Sequence, residues 1–236
     1  MKKFIDKLLE ILYPSDIKCL DCGKDINKGE DFCIKCKKNL PFNNGNICKK
    51  CGTVLEKSGV CIRCAKRLNF KIARSPFMYD GIIKRLIHNF KYDNAKFLFK
   101  PLAKYMANCY KENNMKADVI VAIPLYKARF KKRGYNQAEK LSEEMSKIIN
   151  LPLISALERI KDTPSQTNLD FKERQRNIEG AFTVKDKSFE GKNVLLIDDV
   201  YTSGATMKEA SKVLKQNGAK DIYIITLAHT KLENKE

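Results

Sequence analysis

Residues Val194 to Thr206 read VLLIDDVYTSGAT, an apolar run that leads into two adjacent aspartates and then into hydroxyls and glycine. The apolar run predicts a buried strand over Val194–Ile197. Where a strand ends the chain turns, so Asp198 and Asp199 can both reach one crevice. Tyr201 to Gly204 then form a short loop into a helix. Backbone amides and a helix N-terminus make an anion site there, and Thr202, Ser203 and Thr206 add hydroxyl donors. Carboxylates suit sugar hydroxyls and amides suit phosphate, so the pattern describes a sugar-phosphate site with the two roles kept apart in space. The bland alternative is an N-capped helix with exposed acids; a Mg2+-carboxylate phosphatase site is another reading. No G-x-x-x-x-G-K-[ST] run occurs, which excludes a Walker A loop.

A second set of reactive residues crowds the first 64 positions. Cys19/Cys22, Cys33/Cys36, Cys48/Cys51 and Cys61/Cys64 are four C-x-x-C pairs, separated by 10, 11 and 9 residues. A C-x-x-C turn aims both sulfurs at one point, and a second turn completes a tetrahedron. The pairs therefore predict two structural zinc sites of four cysteines each, with every ligand position filled. CLDCGKDINKGEDFCIKC and CKKCGTVLEKSGVCIRC read as an internal repeat. The repeat favours sequential sites, with an interleaved cross-brace as the alternative. Gly23 and Gly52 follow the second cysteine of their pairs, where a positive φ is often required. Cys109 has no sequence partner and reads as a small core residue.

The elements that must position these groups alternate. Strands are expected over Phe70–Tyr79, Asp118–Pro124, Val194–Ile197 and Asp221–Ala228, with LPLI (151–154) starting another. Helices are expected over Gly81–Phe90, Lys96–Tyr110, Ala138–Ile149 and Ala205–Asn217. This alternation predicts an α/β fold with a parallel sheet, whose ligands bind at the carboxyl ends of the strands. Two such ends carry chemistry: Asp198 with Asp199, and Pro124 with the basic loop LYKARFKKRGYNQ. Residues 158–180 read as polar and irregular. His88 and His229 read as structural.

The formal net charge of +18 favours polyanionic ligands, or else reflects a Lys-rich composition. Two filled four-thiolate sites, each formally 2−, lower it to about +14. Clustered cysteines with no secretory signal imply a reducing cytoplasm. Phe4, Ile5, Leu8, Leu9 and Leu12 recur at helical spacing. That helix either docks on the protein's own body or touches the inner face of the membrane.

VLLIDDVYTSGAT closely resembles the phosphoribosyl-pyrophosphate (PRPP) motif of type I phosphoribosyltransferases. IPLYKARFKKRGYNQAEKLS, RIKDTPSQTNLDFKERQRNIEGAF and the N-terminal C-x-x-C pairs together resemble the ComF family over nearly the whole chain. The resemblance implies a zinc module with an N-terminal helix over residues 1–68 and a phosphoribosyltransferase-like domain over 69–236. It gives Asp198 and Asp199 the ribose hydroxyls, gives Thr202, Ser203, Gly204, Ala205 and Thr206 the 5′-phosphate, and counts Val200 and Tyr201 with them among the PRPP- or phosphate-binding residues. Mg2+ accompanies PRPP. Arg129 and Arg133 are then pyrophosphate contacts, because guanidinium forks match phosphate oxygens. Lys91, Lys131 and Lys132 are candidate DNA contacts beside Tyr126, Phe130 and Tyr135. Thr163, Gln166, Arg174 and Asn177 match positions of a mobile catalytic loop. The family further implies single-stranded DNA and a ComFA-type helicase of the uptake machinery as partners. Two functions remain open: a DNA-uptake factor that carries a PRPP site, and a PRPP-dependent transferase of nucleotide metabolism with an unnamed acceptor.

Overall fold

The computed structural model describes residues 17–65, 68–92, 96–163 and 176–231. The expected N-terminal helix, Gln166 and Arg174 lie outside the described residues, as does the Lys91 side chain. In chain order come α1 (Ile34–Lys38), β1 (Ile72–Arg74), β2 (Phe77–Met78), α2 (Gly81–Tyr92), α3 (Phe99–Glu112) and β3 (Val119–Ala122). They are followed by α4 (Lys127–Arg133), α5 (Gln137–Ile149), β4 (Leu153–Ile154), β5 (Leu157–Arg159), β6 (Phe182–Val184), β7 (Val194–Tyr201), α6 (Ala205–Gln216) and β8 (Ile222–His229).

The main sheet has the order β1-β8-β7-β3-β4, with β2 also pairing β8, and every pairing in it is parallel. Its central strands are apolar because both faces are covered: all eight residues of β8 are buried. Side chains alternate between two core clusters. Leu195, Ile197 and Ile225 pack with α2, α3 and α5, whereas Val194, Leu196, Ile222 and Ile224 pack with α6. Fully burying each such side chain is worth about 1.5–3 kcal/mol.

The cysteine repeats sit on opposite faces of this sheet. Cys19, Phe32, Cys36 and Leu40 join the cluster of α2 and α3; Cys48, Cys51, Cys61 and Cys64 join that of β7 and α6. Hydrogen bonds fasten both. Asn43 N donates to Pro76 O at 2.9 Å, and Ala73 N to Lys50 O at 2.7 Å.

Four local expectations are corrected. The strand expected over Phe70–Tyr79 is broken into β1 and β2 around Ser75 and Pro76, since proline cannot donate to a ladder. The basic loop is the helix α4, closed by Gly134 at φ 75°, a left-handed cap glycine adopts easily. The polar stretch from 158 holds part of β5, which pairs antiparallel with β6. Finally, β7 runs on through Tyr201, so the turn begins later than the apolar run predicts.

Candidate functional site

The order in which the chain adds strands reverses between β3 and β7. From β3 the chain crosses to β4 on one side, and from β7 it crosses to β8 on the other. A crevice opens at the carboxyl ends of strands at such a switch point. Asp198 and Asp199 lie in β7, the loop 202–204 follows it, and α4 follows β3. The expected two strand ends are therefore neighbours.

β7 keeps its register with β8 past the two acids, Asp198 opposite Thr226 and Val200 opposite Ala228. Leu195 and Ile197 share one cluster and Val194 and Leu196 the other, yet Val200 packs with the first and Tyr201 with the second. Both acids are half-buried, and Asp199 N donates to Asp198 Oδ1 at 2.8 Å.

After the acids, Thr202 and Ser203 are half-exposed, whereas Gly204 and Ala205 are buried. Gly204 is the N-cap of α6 at φ 77°. A Cβ there would lie 2.3 Å from the Tyr201 hydroxyl oxygen, so only glycine fits. Ala205 N points back at Ser203 Oγ, 3.4 Å away. A twelve-residue helix begins under this loop, and its first-turn amides, which have no carbonyl partner within the helix, favour an anion.

Across the crevice, α4 divides its charges. Arg129 and Arg133, one turn apart, are half-buried; Lys127, Lys131 and Lys132 are exposed, with Phe130 at 46%. Arg133 Nη1 donates to Gln137 Oε1 at 3.1 Å. The Arg129 guanidinium donates to the Thr163 carbonyl. Tyr135, read as a candidate stacking partner, is instead buried and donates to the Phe90 carbonyl.

Arg159, which sequence reasoning missed, completes the group. It is buried at the end of β5, 7% exposed, and donates to the Thr163 hydroxyl. Its Nε makes no hydrogen bond. Burial lowers its pKa and the Arg129 charge lowers it further, while Asp198 opposes them. Two guanidiniums thus converge on Thr163 with a carboxylate within electrostatic reach. The only sequence signal was the arginine that opens RIKDTPSQTNL. Asn177 lies in the described helical turn after residue 175.

The cysteines form two sequential groups, Cys19/22/33/36 and Cys48/51/61/64, with the sulfurs of each within 4.8 Å of one another. Cys22 to Cys33 and Cys51 to Cys61 are each 3.7 Å apart. Zinc–sulfur bonds of about 2.3 Å in a tetrahedron require about 3.8 Å, so the residues fit zinc. Backbone amides of Lys50 and Cys61 donate to Cys48 Sγ at 3.4 and 3.3 Å. The Cys64 hydrogen bond pulls the Cys51 thiol to about 3, against burial, and the same bond pushes Cys64 up. Four crowded thiols share protons unevenly; a dication lets all four ionise. Gly23 and Gly52 adopt φ 69° and 75°, as their positions required. Cys109 is buried, and burial pushes its thiol to about 12.

Two family models match separate segments of the chain. The double zinc ribbon domain family matches residues 8–65, and the phosphoribosyl transferase domain family matches residues 91–236. Competence protein F of Haemophilus influenzae is 30% identical over 219 residues, which cover 83% of this chain and 96% of the relative. Competence protein ComFC of Bacillus subtilis is 31% identical over 197 residues, 80% of each chain. DNA utilization protein YhgH of Escherichia coli is 25% identical over 218 residues, 90% of each.

Proposed function

The chain belongs to the ComF family, and from that premise we propose that it is a cytoplasmic DNA-uptake protein that binds single-stranded DNA and carries a PRPP site. One observation supports this reading above the others. At the switch point, two half-buried carboxylates and a glycine-capped helix start stand in and after β7, while Arg129, on the helix after the neighbouring β3, shares Thr163 with Arg159, whose charge Asp198 reaches. PRPP has the matching parts: ribose hydroxyls for Asp198 and Asp199, a 5′-phosphate for residues 202–206, and a pyrophosphate for the arginines. The carboxylates attract the hydroxyl donors and repel phosphate, so their place between the two cationic ends sets the direction of the ligand.

The half-exposed carboxylates are oxygen donors of the kind Mg2+ accepts. Bound with PRPP, that ion supplies neutralisation of charge on the pyrophosphate. The chain's own groups orient the ribose and hold its phosphates; Asp198 and Asp199 position the sugar and do not attack it.

The names of the relatives, competence proteins and DNA utilization proteins, support a place in DNA uptake. The exposed face of α4 offers Lys127, Lys131, Lys132 and Phe130, cations beside an aromatic, which suits a single strand. A ComFA-type helicase is the partner expected there. No helix long and apolar enough to cross a membrane occurs among the described residues.

Isothermal titration with Mg2+·PRPP tests the site. Wild type gives a saturable heat, and Asp198→Asn with Asp199→Asn abolishes it. A wild type that shows no heat overturns the PRPP reading.

A further inference from the structure

We propose that the second cysteine cluster is a strut for the loop 202–206, with Tyr201 and His229 as the positioning residues that join the two. The inference rests on the PRPP reading for the purpose of the loop, but the linkage itself is structural.

The contacts run in one line. Cys48, Cys51, Cys61 and Cys64 are all buried and share a core cluster with Tyr201, Ala205 and Met207. His229 is 1% exposed and lies beside Cys51. Its Nδ1 is 2.6 Å from the Thr230 carbonyl oxygen. Because a carbonyl only accepts, Nδ1 carries a proton. Nε2, on the other side of the ring, is buried without a hydrogen-bond partner. The ring stacks on Tyr201 at 4.7 Å between centroids and 19° between planes. Tyr201 ends β7 and His229 ends β8, and the two are paired in register. Thr230 N donates to Tyr201 O at 3.0 Å. The Tyr201 hydroxyl lies against Gly204, at the foot of α6.

The first cluster lies elsewhere: Cys19 and Cys36 pack on the opposite face, against α2 and α3. One chain therefore holds both the coupled site and its control.

A metal in the second site fixes Cys51, against which His229 rests. His229 fixes the plane of Tyr201, and Tyr201 fixes the floor under Gly204. Loss of either side chain lets the amides of 202–206 sample other directions. Coupling is reciprocal, so an anion held by the loop acts back on the thiolates.

Amide hydrogen exchange on the metal-loaded full chain tests the strut without a ligand. In His229→Leu, exchange of residues 202–206 rises at least about tenfold, while residues 34–38 keep the wild-type rate; Tyr201→Leu does the same, and His229→Gln recovers most of the protection. Wild-type exchange at 202–206 in both leucine variants overturns the strut. A second measurement uses only wild type, loaded with 113Cd, and so does not depend on a variant that folds. Mg2+·PRPP shifts the resonance of the buried site and leaves the other in place. Two unmoved resonances alongside calorimetric binding overturn the coupling. If calorimetry detects no binding, the PRPP reading falls and the exchange comparison still decides the strut.

Discussion

Arg129 and Arg159 meet on one residue, the first donating to the backbone carbonyl of Thr163 and the second to its hydroxyl. Like charges held close repel each other. The Arg129 charge acts on Arg159 in that sense, after burial. An anion between them removes the conflict and gives the Arg159 Nε an acceptor.

Arg159→Met therefore lowers pyrophosphate affinity about 10- to 100-fold, the worth of one charge-assisted hydrogen bond at about 1.5–3 kcal/mol. The melting temperature without ligand falls little, because the variant also relieves the repulsion. Calorimetry with inorganic pyrophosphate and a thermal scan on the same samples check both halves. Undiminished affinity would remove Arg159 from the site.

The arginines on α4 separate from its lysines, so their effects separate too. Replacing Lys131 and Lys132 with Ala weakens single-stranded DNA binding across sequences and flattens the log–log salt slope by about 0.7 for each phosphate that is no longer neutralised. Mg2+·PRPP affinity stays within about twofold. Arg129→Ala with Arg133→Ala has the opposite profile for PRPP. Fluorescence anisotropy of a labelled oligonucleotide at several salt concentrations, paired with calorimetry, distinguishes the two faces. A DNA slope that ignores the lysine changes counts against α4 as the DNA-binding face.

How much of this was legible beforehand follows from how local each feature is. The central strands were legible because parallel burial makes Ile222–His229 apolar throughout. Both cysteine groups were legible because two ligands of each pair are close in sequence. Arg159 was not, since an arginine in a three-residue strand has no periodicity, and its neighbours Arg129 and Asp198 come from distant segments. His229 was read as structural, and it is buried. That reading stopped short of its place between Cys51 and Tyr201, which depends on β7 lying next to β8.

The two cysteine groups differ in exposure. Cys22 is exposed and Cys33 half-exposed, whereas all four sulfur ligands of the second group are buried. A chelator must reach the metal through partly dissociated ligands, so the first group yields first. With 4-(2-pyridylazo)resorcinol in excess, one equivalent of zinc leaves promptly and the second at least tenfold more slowly. The second phase coincides with loss of tertiary structure by near-ultraviolet circular dichroism, because that cluster sits in the core under β7. Single-phase release of both ions would contradict the difference in burial.

The knuckle glycines give a paired stability test. Gly23 and Gly52 occupy equivalent places in the repeat with φ 69° and 75°. A Cβ on Gly23 meets nothing within 4 Å, whereas one on Gly52 would lie 2.9 Å from the Ala73 carbonyl oxygen. Gly23→Ala then costs only the left-handed backbone strain, about 1–2 kcal/mol. Gly52→Ala carries the same strain and must also push the second ribbon away from β1, for about 1–3 kcal/mol more. Ala73 N is bonded to Lys50 O at the same junction, so the ribbon cannot move without loosening that bond. Thermal melts of the zinc-saturated proteins rank wild type above Gly23→Ala and Gly23→Ala above Gly52→Ala. Equal losses at the two positions would mean that the second ribbon yields freely, contrary to its seat on the sheet.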